Sequence, residues 1–294
     1  MGIGTHTPQR RRAPTEAPSA LGVIAGRWQE MFSEEPAAFA ASPKEIFKAR
    51  DSPIVRMIID GCRPQAGALI LEAGCGGGQF GLALATRGFR ALELDFSGQM
   101  LRNVRSASRG LARGGEHIVS DTVQGDITGL PFPDGRFDVT FNEGVIEHWT
   151  AVEDRIRVLS EMARVTKPGG HVVVCIPHNC HPFYPWWYFL QRLFRSGWLV
   201  YRPGGSLEEA RISADELGRE LEAAGLSDLL VDGFAVTRTI AHYPRWLPLR
   251  ALAKLAELLL PQFPWSIRRR WGVYLIAGGR KPGPERVDGE GTRT

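Results

Sequence analysis

The sequence predicts a doubly wound α/β fold, in which one sheet of seven strands is covered by helices on both faces. Short apolar segments typical of buried strands alternate with amphipathic segments typical of helices. The apolar run from Ala68 to Leu71 ends in Glu72 and leads directly into a glycine-rich loop. A chain of 294 residues with 43% hydrophobic residues can bury the core of such a domain.

The first part of the chain is predicted to be an arm followed by helices. Residues 1–20 are rich in proline, threonine and arginine, which indicates a disordered basic arm. Ser42 and Glu45 have the spacing of a capping box around Pro43, and a second serine–proline pair follows. We therefore expect N-terminal helices over residues 21–64, ahead of the first strand.

The glycine-rich loop after the first strand indicates a nucleotide-binding site. A strand, a glycine loop and a helix N-terminus together form a cradle for a nucleotide cofactor. Gly76, Gly78 and Gly81 have the G-x-G-x-x-G spacing of NAD sites, and Asp95 lies near the distance expected for a ribose-binding acid. Glu72 argues against NAD, because its negative charge would meet the pyrophosphate. A cofactor that carries sulfonium and ammonium groups tolerates this charge.

The loop sequence has a specific resemblance. The residues E-A-G-C-G-G-G from Glu72 to Gly78 resemble motif I, (D/E)-x-G-x-G-x-G, of the class I S-adenosylmethionine-dependent methyltransferases. The resemblance covers about residues 65–282. It implies a Rossmann-like methyltransferase sheet, S-adenosylmethionine as the cofactor, and cofactor contacts from Glu72, Gly74, Gly76 and Gly78.

The second predicted strand ends in an acid that continues the resemblance. The segment L-E-L-D-F-S-G-Q-M-L around Asp95 is similar to family motif II, in which a carboxylate accepts hydrogen bonds from both ribose hydroxyls. Asp95 is preferred over Glu93, which shares its strand face but lies short of the carboxyl edge. The resemblance further implies that Phe96 and Met100 flank the adenine.

The third predicted strand, residues 122–126, also ends in an acid. Asp126 lies within G-D-I-T-G-L-P-F-P-D-G-R-F-D, which resembles the family segment G-D-x-x-x-L-P-F. This implies that Asp126 accepts a hydrogen bond from the adenine amino group and that Ile127 contacts the ring. A turn-capping role for Asp126 is the alternative.

The fourth predicted strand, residues 137–142, leads into N-E-G-V-I-E-H-W at the carboxyl edge, where ligands bind in open α/β sheets. This segment resembles the family's fourth motif, which places Asn142, Glu143 and Gly144 at the methionine part of the cofactor and His148 at the acceptor. His148 is our candidate catalytic base, and a ring satisfied by a local carbonyl is the alternative. The segment lacks the (D/N/S)-P-P-(F/Y/W) signature of base-amine methyltransferases, so no nucleic-acid acceptor is expected.

Residues 178–212 interrupt the alternation of strands and helices and are dense in aromatic residues. Their apolar residues approximate one face of a helix, with arginines opposite. The family places substrate-binding lids at this position, which implies an aromatic lid with Tyr184 and Trp187 at the acceptor. Burial in the core and contact with a membrane surface are the alternatives. The histidines and the cysteine at its start form no complete ligand set, so no metal is expected.

Three further strands complete the predicted sheet. Residues 161–177 contain a helix end, a K-P-G-G turn and the fifth strand, as in the family. A capping box at Ser213 opens a helix, after which 226–236 and 271–279 are predicted as the sixth and seventh strands. Residues 283–294 are predicted to be a disordered tail.

Composition and charge bear on the location of the protein. The net charge of +4 comes mainly from arginines near the chain ends and in one late cluster, so we infer no nucleic-acid partner from it. Four cysteines without a C-x-x-C pair fit a reduced protein. No segment reaches the roughly 18 uninterrupted apolar residues of a membrane span. We therefore expect a cytoplasmic protein, with peripheral membrane contact left open for the aromatic segment.

The sequence thus predicts methyl transfer from S-adenosylmethionine to an oxygen, nitrogen or carbon nucleophile of a small acceptor. The aromatic segment favours an apolar, aromatic or lipid-like acceptor. One alternative is an NAD-dependent oxidoreductase, which gives no role to Glu72 or Asp126. Another is a catalytically silent scaffold that presents the aromatic segment to a partner, against which the intact set of cofactor positions argues.

Overall fold

A computed structural model of the chain describes residues 28, 40–178, 180, 209–234 and 264–283, and these contain one seven-stranded sheet with helices on both faces. The strands are β1 (Leu69–Ala73), β2 (Arg90–Asp95), β3 (Val119–Gln124), β4 (Phe137–Glu143), β5 (Thr166–Pro177), β6 (Ser227–Phe234) and β7 (Tyr274–Arg280). Their order across the sheet is β3-β2-β1-β4-β5-β7-β6. The predicted doubly wound fold is confirmed.

The helices of the described residues are α1 (Pro43–Ala49), α2 (Pro53–Arg56), α3 (Gln79–Ala85), α4 (Gly98–Arg113), α5 (Val152–Val165), α6 (Ala214–Ala223) and α7 (Trp265–Trp271). A π-helical turn, Met57–Cys62, follows α2, and a 3-10 turn covers Ile146–His148. Both predicted capping boxes form, at Ser42 with Glu45 and at Ser213 with Glu216. Local sequence therefore sets the start of α1 and of α6.

The direction of the strands positions the site. Strands β1 to β5 pair in parallel, whereas β7 runs antiparallel between β5 and β6. The strand order reverses between β1 and β4, because β2 and β3 lie on one side of β1 and β5 lies beyond β4. Ligands of open α/β sheets bind outside the carboxyl ends of the strands at such a reversal.

Alternation along the strands divides the core between the two faces of the sheet. On one face Leu71 belongs to a buried cluster with Leu159 of α5 and Leu217 of α6. On the other face Ile70 belongs to a cluster with Ile54 of α2 and further residues of α1, α3 and α4. Successive residues of β1 thus anchor the two helical layers.

Two predicted boundaries differ from the structure. β3 ends at Gln124, so Asp126 follows the strand instead of ending it. The K-P-G-G segment is not a separate turn but lies inside β5, which begins at Thr166. Its backbone is tied to the end of β7, since Gly169 N donates to Lys281 O at 2.8 Å and Lys281 N donates to Gly170 O at 2.9 Å. Pairing with a distant strand therefore extends a locally turn-like sequence into the sheet.

Several predicted segments lie outside the described residues. These are the arm 1–20, nearly all of 21–39, most of the aromatic insertion 178–212, and the tail after residue 283. Within the described part of the chain, no helix is both long enough and apolar enough to cross a membrane. Cys62, Cys75, Cys175 and Cys180 are free thiols.

Candidate cofactor site at the carboxyl edge of the sheet

The glycine-rich loop between β1 and α3 is held against the end of β2 by its own backbone. The amides of Gly74 and Cys75 both donate to the carbonyl oxygen of Leu94, at 2.7 and 2.9 Å. The amide of Gly78 donates to the Cys75 carbonyl at 2.8 Å, which closes a tight turn. Gly74, Gly76 and Gly78 have φ values of 81°, 49° and 70°, a region that favours glycine.

The loop is packed on two sides and open on a third. A Cβ at Gly74 would lie 2.8 Å from the side chain of Val145, and one at Gly78 would lie 2.7 Å from that of Val104. A Cβ at Gly76 would meet nothing within 4 Å. The backbone at Gly76 therefore has space beside it for a ligand.

Glu72 lies beneath this loop. The sequence predicts that Glu72 contacts the cofactor, but its side chain is only 3% exposed and its Oε2 accepts the N–H of Gly81 at 2.8 Å. Burial, followed by the charge of Glu93, raises the pKa of Glu72. The residue therefore ties the first turn of α3 to β1 from beneath the loop.

Glu93 is the acid that the sequence interpretation set aside and that the structure brings into the site. Pairing of β1 with β2 places it opposite Glu72, and it is completely buried. The sequence signal that could have identified Glu93 is its position on the same strand face as Asp95. Only the register between β1 and β2, which no local pattern encodes, shows that it meets a second carboxyl.

Asp95 ends β2 and binds the backbone on both sides. Its Oδ2 accepts the N–H of Gly76 at 2.9 Å, and its Oδ1 accepts the N–H of Ser97 at 2.8 Å. Burial raises the pKa of Asp95, and hydrogen bonds from backbone N–H groups act in the opposite direction. Each oxygen of an ionised carboxylate can accept more than one hydrogen bond. Asp95 thus has capacity for two ribose hydroxyls beside the open side of Gly76.

The four residues predicted to surround an adenine differ in exposure. Phe96 is half-buried beside Asp95, whereas Met100 is completely buried at the start of α4. Of these two side chains, only that of Phe96 is partly exposed at the edge of the sheet. Asp126 accepts the N–H of Thr128 at 2.8 Å through Oδ1, which is the turn-capping role named above. Ile127 is buried in the core next to it.

The end of β4 presents two residues at the edge. The Asn142 side chain is fully buried and its Nδ2 lies 3.3 Å from the sulfur of Met162, so it points toward α5. Gly144 has a φ of 70° and donates to the Cys175 carbonyl at 2.9 Å. Glu143 and Gly144, both half-buried, are therefore the parts of this predicted group that reach the surface.

His148 closes the 3-10 turn after β4 and lies against an aromatic ring. Its ring centroid is 5.1 Å from that of Trp28, with the two planes at 78°. Burial lowers the pKa of His148, while the charge of Glu209 and a hydrogen bond to Gly144 act to raise it. Its Nδ1 is buried and has no hydrogen-bond partner among the described residues. The ring is therefore neutral at pH 7 with one unpaired nitrogen, as a general base requires.

Glu147, beside His148, is a second buried acid that the sequence interpretation did not identify. It is almost fully buried, and its Oε2 has no hydrogen-bond partner in the described part of the chain. Burial raises the pKa of its carboxyl. Only the fold shows this burial, because no local pattern in the sequence indicates it.

A cavity of about 500 Å³ opens between α1, α2 and the carboxyl edge of the sheet. Its walls include Phe80 and the stacked rings of Phe234 and Tyr274, whose centroids are 5.5 Å apart. Glu143 and Cys175 line it from the ends of β4 and β5. The cavity therefore adjoins the predicted methionine end of the cofactor site.

The predicted acceptor contacts Tyr184 and Trp187 lie outside the described residues. Of the potential ligands at the start of the aromatic insertion, His178 is described, and its Nδ1 lies 2.8 Å from the Gly272 carbonyl oxygen. Among the described residues, no three or more histidine, cysteine or acidic side chains are grouped to hold a metal ion.

The residues at this edge of the sheet fit a cationic nucleoside cofactor. Glu72, Glu93 and Asp95 lie beneath or beside the loop, and none of them forms an ion pair within the described residues. Burial raises the pKa of all three carboxyls, and the charge that they retain attracts a sulfonium and an ammonium group and repels a pyrophosphate. The donor and acceptor set therefore fits S-adenosylmethionine and disfavours NAD.

Comparison with known proteins identifies the family. Residues 71–174 match the profile of the family described as "Methyltransferase domain". The mouse protein named "Probable tRNA methyltransferase 9B" is 34% identical over 124 residues, which are 42% of this chain and 24% of that protein. The demethylmenaquinone methyltransferase of Thermobifida fusca is 38% identical over 111 residues, which are 37% of this chain and 44% of that protein. The matched part spans less than half the length of either relative.

Solved structures share the fold at low sequence identity. A chain from the complex between the Haloferax volcanii Trm112 methyltransferase activator and a methyltransferase has a TM-score of 0.53 at 20% identity, covering 80% of this chain and 91% of that chain. The profile match begins in β1 and ends in β5, so it includes the glycine loop, Asp95, Asp126 and His148. Residues 71–174 therefore form a methyltransferase domain of the class I S-adenosylmethionine-dependent type.

Proposed function

We propose that the protein transfers the methyl group of S-adenosylmethionine to a nucleophilic atom of a small, apolar or aromatic acceptor. The observation that carries the proposal is the glycine loop, which is open at Gly76, has Asp95 beside it, and has uncompensated acids beneath it. When bound, S-adenosylmethionine supplies an electrophilic methyl group with a neutral thioether as its leaving group. The residues of the chain need only bind, orient and deprotonate.

Binding and orientation follow from the loop and Asp95. Asp95 accepts the Gly76 N–H and can accept two neighbouring hydroxyls, so it fixes a nucleoside directly against the loop. Glu143 and Gly144 hold the far end of the ligand at β4. Proximity and orientation contribute about 7 to 11 kcal/mol in reactions between two bound partners. A strong base is therefore optional for a reactive acceptor.

His148 is the residue we assign to removing a proton from a hydroxyl acceptor. Its neutral ring at pH 7 and its unpaired Nδ1 suit this role. The atom is buried, so an acceptor reaches it only after a covering group moves, and the Trp28 ring packs against the imidazole.

The cavity supports a small acceptor. Its volume of about 500 Å³ lies within the range of small-molecule sites, which is about 300 to 1,000 Å³. Phe80, Phe234 and Tyr274 offer ring surfaces to a flat apolar group. One relative is named for demethylmenaquinone and another for tRNA. Nucleic acid needs a basic surface, whereas this cavity has Lys48 together with the acids Glu45 and Asp51.

Two measurements test the proposal. Calorimetric titration should show binding of S-adenosylhomocysteine and none of NADH; the opposite result overturns methyl transfer. Incubation with radiolabelled S-adenosylmethionine should label phenols or hydroquinones but not bulk tRNA. Label found in tRNA alone overturns the acceptor class and leaves the reaction in place.

A further inference from the structure

Two buried carboxyls beneath the glycine loop lack a counter-ion. Glu72 of β1 and Glu93 of β2 are paired in register, and they are 3% and 0% exposed. Neither forms an ion pair within the described residues. Two adjacent carboxylates that are removed from water cannot both stay ionised. We therefore expect one proton on the pair.

Hydrogen bonding leads to the same expectation. Glu72 Oε2 accepts the N–H of Gly81, but no donor from the described residues reaches either oxygen of Glu93. The register of β1 with β2 places the Glu72 carboxyl beside that of Glu93, and both carboxyls lie next to Gly81. Two carboxyls can bond to each other only when one of them carries a proton. Burial raises the pKa of Glu93 to about 8, in agreement with this geometry.

The neighbouring charged and titratable groups increase the tendency to hold that proton. The charge of Glu143, at the end of β4, raises the pKa of Glu72 further. Cys75 in the loop lies close enough to Glu72, Glu93 and Asp95 for their charges to raise the pKa of its thiol, after burial. These neighbours on the loop, β2 and β4 supply no positive charge to the two carboxyls.

On the remaining sides of the two carboxyls lie Thr122 of β3, Arg105 of α4 and Gly81 of α3. Thr122 is the register partner of Glu93, and its hydroxyl accepts a hydrogen bond from Arg105 Nε at 2.5 Å. The Arg105 guanidinium is thus bonded to the hydroxyl next to the pair and forms no ion pair with it. A Cβ at Gly81 would lie 2.1 Å from Glu93 Oε1, so α3 closes directly over the carboxyl.

We propose that Glu93 is a positioning residue that shares one proton with Glu72 and thereby holds the glycine loop in its cofactor-binding shape. The shared proton orients Glu72, Glu72 accepts the Gly81 N–H, and this bond fixes α3 to the loop. Loss of the proton leaves two adjacent anions, whose repulsion displaces Glu72 from Gly81. The inference rests on the proposed cofactor binding and gives that binding an alkaline limit.

The direction of the pH dependence follows from linkage. Between the ordinary carboxyl value of 4.5 and the raised pKa of Glu93, the folded chain holds a proton that the unfolded chain has released. Protons therefore favour the folded state in this range, and its stability declines as the pH rises toward 8. Glutamine at position 93 donates to Glu72 without being able to ionise, so Glu93→Gln should remove the part of this dependence that comes from Glu93, while the buried Glu72 keeps its own part.

Calorimetric titration with S-adenosylhomocysteine, at about pH 6 and about pH 9, tests the proposal on the full chain. The wild type should lose more than about twofold in affinity at the higher pH, which lies above the Glu93 pKa of about 8. Glu93→Gln should stay within about twofold of the wild-type affinity at low pH under both conditions. Glu222→Gln, a change at an exposed acid of α6, is the matched control and should follow the wild type.

A flat wild-type profile, or a Glu93→Gln profile that falls like the wild type, overturns the proposal. Glu72→Gln leaves Glu93 without a second carboxyl to share a proton with, so the affinity for S-adenosylhomocysteine should again not fall with pH. The test therefore does not depend on one variant.

Urea unfolding across the same pH range gives a readout without cofactor. If no protein binds S-adenosylhomocysteine but the wild type alone loses stability with pH, the proposed function fails and the shared proton stands. If the ligand binds and all unfolding profiles coincide, the shared proton fails.

Discussion

Among single residues, Asp95 has a structural role in addition to the role that the sequence predicts. The sequence indicates a carboxylate for ribose hydroxyls at the end of β2. In the structure the same carboxylate also accepts the N–H of Gly76 and thus shapes the loop that a ligand would contact. Loss of Asp95 should therefore affect cofactor binding both directly and through the loop.

We expect Asp95→Ala to weaken S-adenosylhomocysteine binding at least tenfold. Charge-assisted hydrogen bonds contribute about 1.5 to 3 kcal/mol, and each 1.4 kcal/mol is about tenfold in affinity. Isothermal titration calorimetry measures the effect. Asp60→Ala, at an exposed acid of the π-helical turn, is the control and should bind like the wild type. Unchanged affinity in a folded Asp95→Ala protein would refute the assignment.

His148→Asn should lower kcat more than it lowers S-adenosylhomocysteine affinity, because the ring lies beyond β4 at the proposed acceptor side. The neutral imidazole is the active form and its pKa is lowered by burial, so the acid limb of the wild-type pH–rate profile should lie below 6.5. Steady-state kinetics with a labelled acceptor and calorimetry give the two quantities. Equal losses in both, with no change of the acid limb, would indicate a structural histidine.

Among the elements, α5 and α6 are joined by a buried ion pair that also holds the segment after His148. Arg155 Nε lies 3.1 and 3.0 Å from the two carboxylate oxygens of Glu220. Its Nη1 donates to the carbonyls of Trp149 and Thr150 at 2.9 and 3.0 Å. The arginine therefore links the helical layer formed by α5 and α6 to the turn that carries the candidate base.

Glu220→Ala should destabilise the fold by about 3 to 5 kcal/mol, since it leaves the Arg155 charge buried and unpaired. Glu222→Ala lies on the exposed side of the same helix and should change stability by less than about 0.5 kcal/mol. The free energy of unfolding in urea gives both values. A loss for Glu220→Ala no larger than that for Glu222→Ala would show that the ion pair contributes nothing.

For the whole molecule, the aromatic insertion of residues 178–212 is the segment that the sequence predicts to contact the acceptor. We predict that Trp187→Ala raises the acceptor's KM and leaves S-adenosylhomocysteine affinity nearly unchanged, because the proposed cofactor contacts come from other strand ends. Acceptor titrations and calorimetry measure these two effects.

Two further experiments separate this prediction from its alternatives. A buried core tryptophan would instead cost about 3 to 5 kcal/mol on truncation, so a sharp drop in melting temperature contradicts the lid. Co-sedimentation of the wild type with liposomes tests membrane contact, and absence from the pellet contradicts it.

Much of the fold and part of the site follow from local sequence alone. The positions of the strands, the capping boxes at Ser42 and Ser213, and the glycine loop all depend on residues that are close in the chain. The position of Asp95 is also predicted by local sequence, because the apolar pattern of its own segment indicates where the strand ends. These features are encoded by backbone preferences and by hydrophobic alternation.

Tertiary structure decided what depends on partners far apart in the chain. The register of β1 with β2 brings Glu72 and Glu93 together, and packing of α4 buries Met100 away from the edge. Pairing with β7 turns the K-P-G-G segment into strand, and Arg155 finds Glu220 across 65 residues. The sequence by itself determined which elements form and where a cofactor loop lies. The tertiary structure decided which carboxyls are buried and which of them lie side by side, because desolvation and charge pairing arise only when distant segments pack together.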